Sequence, residues 1–427
     1  MGRAGLPILR PSLSLFMKIL FFCHYFPPEV NAPASRTYEH AVQWVQASHT
    51  VTVVTCVPNC PDSVVFGGYQ NRLRSQTEIV DGIRVVRVWT WITPDKGMFS
   101  RTLNYVSYMV SAVWSALWLP RPDVVVSSSP QFFCGWAGVW YHWLKRVPFV
   151  LEIRDIWPES IAAVGVMQKG LAMWVLEWLE RRMYLAADRL VTVGHGYKDQ
   201  IAAKVPVGER ISVVMNGVDA GLFSPKPRDE AFLSQWKLAK KFVCSYVGTI
   251  GMAHGLEVVI RAARIFREHG RTDIVFLIVG DGARRIELER LADEAGVTNQ
   301  ILFSGRMSRD MMPTVLASSD ACLVHLRKTE LFETVVPSKI FESMAMGCPI
   351  IMGVRGESRA IVQAAGAAID MEPESETDLV EALVRLADDT PLRESLSQSA
   401  RAYVLQHYDR KRQAARMLDV FECLIRP

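Results

Sequence analysis

The sequence lacks the features that mark several common classes of protein. Its formal net charge is only +4 over 427 residues, which argues against a dedicated nucleic-acid-binding protein. It contains no low-complexity tract and no short internal repeat, and its glycine-rich stretches match neither a Walker loop nor a complete dinucleotide fingerprint. What remains is a globular chain that is long enough for two domains with ample cores.

The eight cysteines do not form a metal-binding pattern. Cys56 and Cys60 flank a Pro-Asn turn, but no second Cys or His pair follows at the spacing of a zinc site. Most of the eight lie inside apolar segments, as the buried reduced thiols of cytosolic proteins do. We therefore predict reduced cysteines and no metal site.

The first 16 residues are expected to be a loose N-terminal extension. Prolines interrupt their apolar runs and no clear cleavage site follows, so they make a poor signal peptide. Met17 and Lys18 open a clean strand pattern. We expect translation to begin there, or residues 1–16 to precede the folded part.

Strand and helix patterns alternate along the rest of the chain. Apolar runs such as residues 17–23 are typical of parallel strands that are covered on both faces, and a helix is expected to follow from Ser35 or Thr37. Residues 57–79 are expected to be mainly loops. The alternation restarts at Phe242, after a turn and a proline-rich linker. It predicts an α/β fold of two Rossmann-like, doubly wound parallel-sheet domains facing a cleft, where ligands meet the carboxyl ends of the strands.

Residues 103–119 form an uncharged, aromatic-rich run. As a helix it would be about 26 Å long, which is at the lower limit for crossing a bilayer. Tyr105, Trp114 and Trp118 suit a membrane interface. Further tryptophans and two basic residues at 136–146 add weight to an interfacial patch. A buried core helix and a membrane span remain alternatives.

A helix start near residue 338 predicts a phosphate site. Lys339 and Glu342 lie one turn apart there, and Ser338 takes a plausible N-cap position. A helix N-terminus favours anions, a lysine adds a charge suited to phosphate, and a carboxylate accepts hydrogen bonds from ribose hydroxyls. The pattern indicates a site for a nucleotide diphosphate and its sugar. The alternative is an ordinary helix whose Lys and Glu form an exposed pair.

Two glycine-containing loops follow strands and precede helices. One contains Gly248 and Thr249, and the other contains Gly280, Asp281 and Gly282. Glycine lets the backbone approach a ligand closely, and the following helix start favours phosphate. Each loop alone fits a tight strand-to-helix turn better, and Asp281 is expected to cap the helix rather than to contact ligand.

Charged residues also cluster after other buried strands. The segment 152–159 contains four of them, and charge is costly in a core, so we favour a site over a salt-bridged turn. Arg154 and Asp155 are expected to face a sugar acceptor or the donor phosphate, and Arg306 is expected to be a further ligand contact. His24 is expected to be structural, as a lone histidine more often is.

Seven motifs carry a family resemblance: FPPEVNAPASR, SSSPQFF, EIRDIWPES, NGVD, GTIGMAHGLE, VGDG and VPSKIFESMAMGCPI. With them, the chain from residue 17 onward resembles the GT-B fold glycosyltransferases of family 4. It is most similar to the branch that transfers amino-deoxy sugars such as L-fucosamine in O-antigen and capsule assembly. The resemblance implies a retaining transfer from a UDP sugar with no metal or other cofactor. It divides the chain into an extension (1–16), an acceptor-binding domain (17–220), a nucleotide-sugar-binding domain (221–404) and a helix that returns to the N-terminal domain (405–427).

Site roles follow from the same resemblance, position by position. Glu342 resembles the ribose-binding glutamate, Arg306 the position near the base, and Asn31 lies in the loop that closes over the donor. Arg154 and Asp155 match the position where many relatives carry a catalytic histidine. The predicted catalytic residues are Asp155, Arg154 and Lys339. The predicted nucleotide-sugar-binding residues are Asn31, Gly248, Thr249, Gly280, Asp281, Gly282, Arg306, Ser338 and Glu342.

The phosphate loop departs from the family pattern. Thr249 and His254 stand where most members have Arg and Lys, and Thr334 stands where most have Glu. Other cations of the site are expected to supply the missing charge, because the departing nucleotide becomes more negative in the transition state.

The expected partners are a UDP sugar, a lipid-linked saccharide acceptor and a membrane surface, without nucleic acid. We expect a cytoplasmic protein at the inner face of the plasma membrane. Two other functions stay open. A nonhydrolysing UDP-sugar 2-epimerase shares the two-domain architecture, and a non-catalytic nucleotide-sugar-binding subunit would fit the missing loop cations.

Overall fold

The structure is a computed structural model that describes residues 16–93, 97–129, 131–159 and 170–426. Residues 1–15 of the expected N-terminal extension lie outside the described residues. All eight cysteines lie inside them, and none of the eight forms a disulfide.

The N-terminal half builds an eight-stranded sheet from the described residues. Its strands are β1 (Lys18–Phe22), β2 (Thr50–Cys56), β3 (Gln76–Val80), β4 (Ile83–Val88), β5 (Val124–Ser128), β6 (Phe149–Ile153), β7 (Arg189–Thr192) and β8 (Ile211–Val213). Their order is β3-β4-β2-β1-β5-β6-β7-β8, and β3 runs antiparallel to β4 while the other paired strands run parallel. The helices are α1 (Ala32–Gln46), α2 (Met98–Ala116), α3 (Phe132–Lys145), α4 (Leu171–Ala186) and α5 (His195–Lys204).

Both faces of this sheet are covered, which explains the continuous apolar runs of its central strands. Leu20 and Phe22 of β1 enter the core under one layer of helices. Ile19 and Phe21 enter a second core on the opposite face. All four side chains are at most 2% exposed, so a polar residue is excluded from either face of this strand.

The C-terminal half builds a second, parallel sheet. Its strands are β9 (Phe242–Val247), β10 (Ile274–Val279), β11 (Ile301–Gly305), β12 (Ala321–His325), β13 (Ile350–Gly353) and β14 (Ala368–Asp370), in the order β11-β10-β9-β12-β13-β14. Its helices are α6 (Glu230–Gln235), α7 (Glu257–Glu268), α8 (Arg285–Glu294), α9 (Met312–Ala317), α10 (Lys339–Met346), α11 (Glu357–Ala364), α12 (Glu376–Asp388) and α13 (Thr390–His407).

A last helix, α14 (Arg410–Ile425), leaves the C-terminal half and packs against α1 of the N-terminal half. Trp44 of α1 is fully buried in this contact. Its indole N–H donates to the carbonyl of Ala414 at 3.0 Å, and its ring lies 5.3 Å from that of Phe421. The chain therefore crosses between its two halves twice.

Three local expectations need correction. Residues 57–75 lie outside helices and strands, as expected, but residues 76–79 belong to β3, which pairs with β4 as an antiparallel edge strand. The first helix begins at Ala32, before Ser35 and Thr37, because Asn31 caps it. The helix expected at residues 103–119 is α2, which starts earlier, buries one face and exposes the other.

No helix in the described residues, α2 included, is long and apolar enough to cross a membrane.

Candidate active site

A cavity of about 850 Å³ lies between the two halves of the molecule. The loops after β1 and β6 form one wall, where Asn31, Arg154 and Asp155 lie. The loop after β9 and the start of α10 form the other wall, which includes Gly248 and Glu342. Both walls are the carboxyl ends of parallel strands, where α/β folds bind their ligands.

Ser338 precedes the first turn of α10 but does not cap it. Its backbone is already helical, with φ −59° and ψ −26°, and its side chain makes no capping hydrogen bond within the described part of the chain. The predicted capping role is therefore wrong. Ser338 instead lines the cavity, where its hydroxyl and the first amides of α10 are placed to meet an anion. Gly347 ends the helix in the left-handed conformation, as its sequence position predicts.

Lys339 and Glu342 are not an exposed ion pair. The ammonium group of Lys339 lies 3.9 Å from the centre of the Tyr246 ring. It also lies close under Gly248, where an added Cβ would come within 3.0 Å of it. Among the described residues Lys339 makes no salt bridge, and burial lowers its pKa to about 8. The cation is therefore held beneath the glycine loop without a carboxylate partner.

The two glycine loops pack on each other. Gly248 has φ +144°, and a Cβ on Gly280 would lie 1.8 Å from the Gly248 carbonyl oxygen. A Cβ on Gly282 would lie 2.4 Å from the carbonyl oxygen of Ile250. Only glycine fits at these contacts. Gly248 lines the cavity, whereas Gly280 and Gly282 lie behind it and hold its loop in place.

The remaining predicted residues of this wall lie beside the cavity. The carbonyl of Thr249 accepts a hydrogen bond of 2.7 Å from the hydroxyl of Tyr246. Asp281 accepts from the backbone N–H of Gly282 at 2.8 Å, and α8 begins only at Arg285, so Asp281 does not cap that helix as expected. Arg306 is about half exposed and its Nε lies 3.4 Å from a carboxylate oxygen of Asp281.

Asn31 and Arg154 shape the opposite wall together. The side-chain carbonyl of Asn31 accepts from the backbone N–H of Ala34 at 2.9 Å and so begins α1. Arg154 donates to the carbonyls of Ala32 at 3.1 Å and Pro33 at 3.3 Å. Burial lowers the pKa of Arg154 to about 10, so it stays charged at neutral pH. The guanidinium group therefore fixes the first turn of α1 beside the cavity.

Asp155 follows Arg154 and lines the same cavity. Burial raises the pKa of the Tyr197 and Tyr184 phenols, and the nearby Asp155 carboxylate raises both further. The Asp155 carboxylate thus lies within electrostatic reach of two buried tyrosines.

Three arginines that line the cavity were not identified from the sequence: Arg36, Arg309 and Arg410. Arg36 is 2% exposed and pairs with the buried Glu152 at 2.8 Å. Its other nitrogens donate to carbonyls of Val214 and Met215, at the end of the N-terminal half. The only available signal was the position of Arg36 in the APASR motif, because the three arginines are far apart in the chain.

Arg309 and Arg410 share one carboxylate, that of Glu39 on α1. Arg309 pairs with Glu39 Oε1, and Arg410 Nε lies 3.0 Å from Glu39 Oε2. Burial raises the pKa of Glu342, while the charges of Arg309 and Arg410 oppose that rise. The two arginines therefore act electrostatically on Glu342 within the same cavity.

A second contact joins the two halves at α5. The backbone N–H groups of His195 and Gly196 donate to the two carboxylate oxygens of Glu357 at 2.8 and 2.9 Å. Glu357 is the first residue of α11 in the C-terminal half. A carboxylate at a helix N-terminus is favourable, so this contact joins both sides of the cleft.

The arrangement suits binding and activation of a phosphate leaving group. Cations and helix amides surround the cavity, and such groups stabilise charge that develops on a departing phosphate. Among the described residues, no group of three or more His, Cys, Asp and Glu side chains is placed to hold a metal ion.

Two family models cover most of the chain. The model described as "Glycosyl transferase 4-like domain" matches residues 31–217, and "Glycosyl transferases group 1" matches residues 228–403. One relative is the "Putative colanic acid biosynthesis glycosyl transferase WcaI" of Escherichia coli, which is 27% identical over 86% of this chain and 90% of its own length. Another is the "Probable glycosyltransferase WbjE" of Pseudomonas aeruginosa, also 27% identical, over 63% of this chain and 66% of its own.

The fold has solved counterparts. The crystal structure of Anabaena HepE in complex with UDP and glucose matches with a TM-score of 0.71 and 17% identity, over 96% of this chain and 100% of the other. The architecture of two facing parallel-sheet domains is the GT-B fold. The chain is therefore a GT-B glycosyltransferase, whose N-terminal half belongs to the glycosyl transferase 4-like family and whose C-terminal half belongs to glycosyl transferases group 1.

Proposed function

We propose that this protein transfers a sugar from a UDP sugar to a lipid-linked saccharide in cell-surface polysaccharide synthesis, with retention of the anomeric configuration. One observation carries the proposal. A single cavity has Gly248, Ser338 and Glu342 on its C-terminal wall, with the Lys339 ammonium group beneath Gly248, and has Arg154 and Asp155 on the wall opposite. The name of one relative, a putative colanic acid biosynthesis glycosyl transferase, and the UDP complex of HepE support the same class.

The donor would lie along the C-terminal wall. The α10 amides, Ser338 and Lys339 would hold its diphosphate, and Glu342 would accept hydrogen bonds from the ribose hydroxyls. Gly248 gives the phosphates close access to the backbone. Positive charge at the diphosphate stabilises the leaving nucleotide as the glycosidic bond breaks.

The acceptor would approach from the N-terminal wall. Asp155 would orient the acceptor hydroxyl, and Arg154 would keep Asn31 and the first turn of α1 close to the donor. Thr249, Gly280, Asp281, Gly282 and Arg306 lie beside or behind this path, so we propose for them a supporting role in donor binding. The resemblance to the fucosamine-transferase branch supports an N-acetylated amino-deoxy hexose as the transferred sugar.

A tryptophan surface on the N-terminal half supports a lipid-linked acceptor. It consists of Trp114, Trp118, Trp140, Trp143, Trp174 and Trp178, all between 45% and 76% exposed. These residues belong to α2, α3, α4 and the turn after α2, and α3 packs against both other helices. Large exposed tryptophans on adjacent helices are typical of a surface that enters a membrane interface.

Basic residues border the tryptophan surface. Lys145 is the last residue of α3 and Arg146 follows it. Arg181 and Arg182 lie on α4, where the Arg182 guanidinium lies 5.4 Å from the centre of the Trp178 ring. Aromatic and basic side chains together favour an anionic lipid surface. We propose that the protein is cytoplasmic and binds peripherally to the inner face of the plasma membrane.

Transfer to a membrane acceptor tests the function. The purified protein is mixed with membranes that contain undecaprenyl-diphosphate N-acetylglucosamine and with one UDP sugar at a time, including UDP-N-acetyl-L-fucosamine. We expect one donor to yield a lipid heavier by a single sugar residue in mass spectrometry. If no donor yields such a product while UDP still binds, the transfer reaction is refuted for this acceptor and a binding role is favoured.

A further inference from the structure

We propose that Arg309 and Arg410 bind the diphosphate of the donor and that it replaces Glu39 as their counter-ion. The inference rests on the proposed nucleotide-diphosphate donor. It identifies the cations that compensate for the two basic residues missing from the phosphate loop.

The phosphate loop itself provides no cation. Thr249 is uncharged, and burial lowers the pKa of His254 to about 3, so this imidazole is neutral near pH 7. The ammonium group of Lys339 supplies a positive charge directly under the loop. A diphosphate carries more than one negative charge and is usually met by several donors.

Two arginines reach the cavity from segments outside the recognised motifs. Arg309 lies in a short 3-10 turn after β11, and Arg410 is the first residue of α14, which returns to the N-terminal half. Both line the cavity together with Gly248, Ser338 and Glu342. The guanidinium group suits this task, because its planar donors match phosphate oxygens in pairs.

The carboxylate of Glu39 pairs with both arginines but does not satisfy all of their hydrogen-bonding capacity. Its side chain is 8% exposed, and one carboxylate faces two guanidinium groups. Arg410 Nε and Glu39 Oε2 are 3.0 Å apart, yet neither atom has a hydrogen-bond partner among the described residues. A buried guanidinium that is only partly satisfied gains more from a new acceptor than a fully bonded one does.

The three side chains come from different parts of the fold. Glu39 lies on α1 of the N-terminal half, Arg309 lies in the C-terminal half, and Arg410 starts the helix that joins them. Exchange of Glu39 for diphosphate would therefore make donor binding sensitive to the closeness of the two halves.

Titration calorimetry of the full chain with UDP and with uridine tests the inference. We expect Arg309→Gln and Arg410→Gln each to lower UDP affinity about 10- to 100-fold, the range of a charge-assisted hydrogen bond, and to leave uridine affinity unchanged. Arg410→Lys should recover part of the loss. Arg264→Gln, which removes a surface arginine paired with Glu268, is the matched control and should bind both ligands as the unchanged protein does.

Different results would contradict different parts of the proposal. Unchanged UDP affinity in both variants, or an equal loss for uridine, would overturn the assignment of the arginines. Glu39→Gln should tighten UDP binding, and unchanged or weaker binding would overturn the exchange. If the unchanged protein binds no UDP, the proposed UDP donor itself fails and this inference falls with it.

Discussion

Lys339 is a cation that the fold has partly removed from water. Its ammonium group has a tyrosine ring and a glycine loop around it but, among the described residues, no carboxylate within salt-bridge distance. Such an arrangement costs folding free energy and is typical of a functional site that binds anions. The cost can be measured separately from the function.

Lys339→Met should therefore make the protein more stable and less able to bind nucleotide. Removal of the buried charge is expected to raise the free energy of unfolding by about 1–2 kcal/mol, after allowance for the lost contact with Tyr246. Thermal melting at neutral pH measures the first effect, and UDP titration measures the second. A variant that is less stable and still binds UDP would contradict this role for Lys339.

The lowered pKa of Lys339 also predicts a pH dependence. The free protein loses this charge as pH rises through about 8, whereas the unfolded chain keeps it to the ordinary value of 10.5. Because the unfolded state binds more protons between these values, stability should rise with pH across that window. UDP affinity should instead fall about tenfold between pH 7 and pH 9, since the diphosphate prefers the charged lysine.

The Lys339→Met variant is the control for this pH profile. Its UDP affinity should be nearly flat over the same range. A fall of equal size in that variant would assign the titration to another group.

Some residues of the site can be recognised from the sequence alone, and others cannot. Lys339 and Glu342 share one helix turn, so their spacing alone indicates a joint site. Arg309 and Arg410 meet only because α14 crosses back over the N-terminal half. No local pattern marks such a meeting, and the capping expected of Ser338 and Asp281 failed because both helices begin with other backbone geometry.

At the scale of elements, α4 exposes apolar side chains on a helix whose other face is buried. Leu171, Trp174, Val175 and Trp178 are exposed, while Met173 is buried on the other side. The spacing of three and four residues places the exposed group on one face. This face adds to the aromatic residues of α2 and α3, from which the sequence predicts an interfacial patch.

The double variant Trp174→Ser/Trp178→Ser should release the protein from lipid. Two large side chains that leave a membrane interface should weaken partitioning about 100-fold. Flotation with anionic liposomes at low salt measures this partitioning. Leu73→Ser, which alters a residue that is 85% exposed outside this surface, is the control and should float as the unchanged protein does. Equal flotation of the double variant would remove α4 from the membrane contact.

Element prediction succeeded where both faces of a strand are buried. The ranges of β2, β9 and β10 match the apolar runs of the sequence. It missed β3 because an edge strand alternates exposed and half-buried residues and looks like a loop. It also missed β14, which has only three residues, all of them half-buried.

At the scale of the whole molecule, α14 ties the C-terminal half to the N-terminal one. Phe421 is fully buried against Trp44, so Phe421→Ala should destabilise the N-terminal half by about 3–5 kcal/mol. Urea unfolding measures this loss of stability, and hydrogen exchange of the α1 amides shows whether the loss is felt at the contact itself. Phe99→Ala, at a residue that is 82% exposed, should change neither. If the α1 amides remain protected from hydrogen exchange in Phe421→Ala, α14 is not needed to hold α1 in place.

The fate of the anomeric carbon distinguishes a retaining transfer from the alternative reactions. The donor that yields product is prepared with ¹³C at C1 and followed by NMR with the lipid acceptor. We expect the C1 signal to leave the nucleotide and to reappear as that of a glycoside of the same anomeric configuration, in step with UDP release. A C1 signal that stays attached to UDP while the sugar epimerises, or a product of opposite configuration, would contradict the proposed retaining transfer.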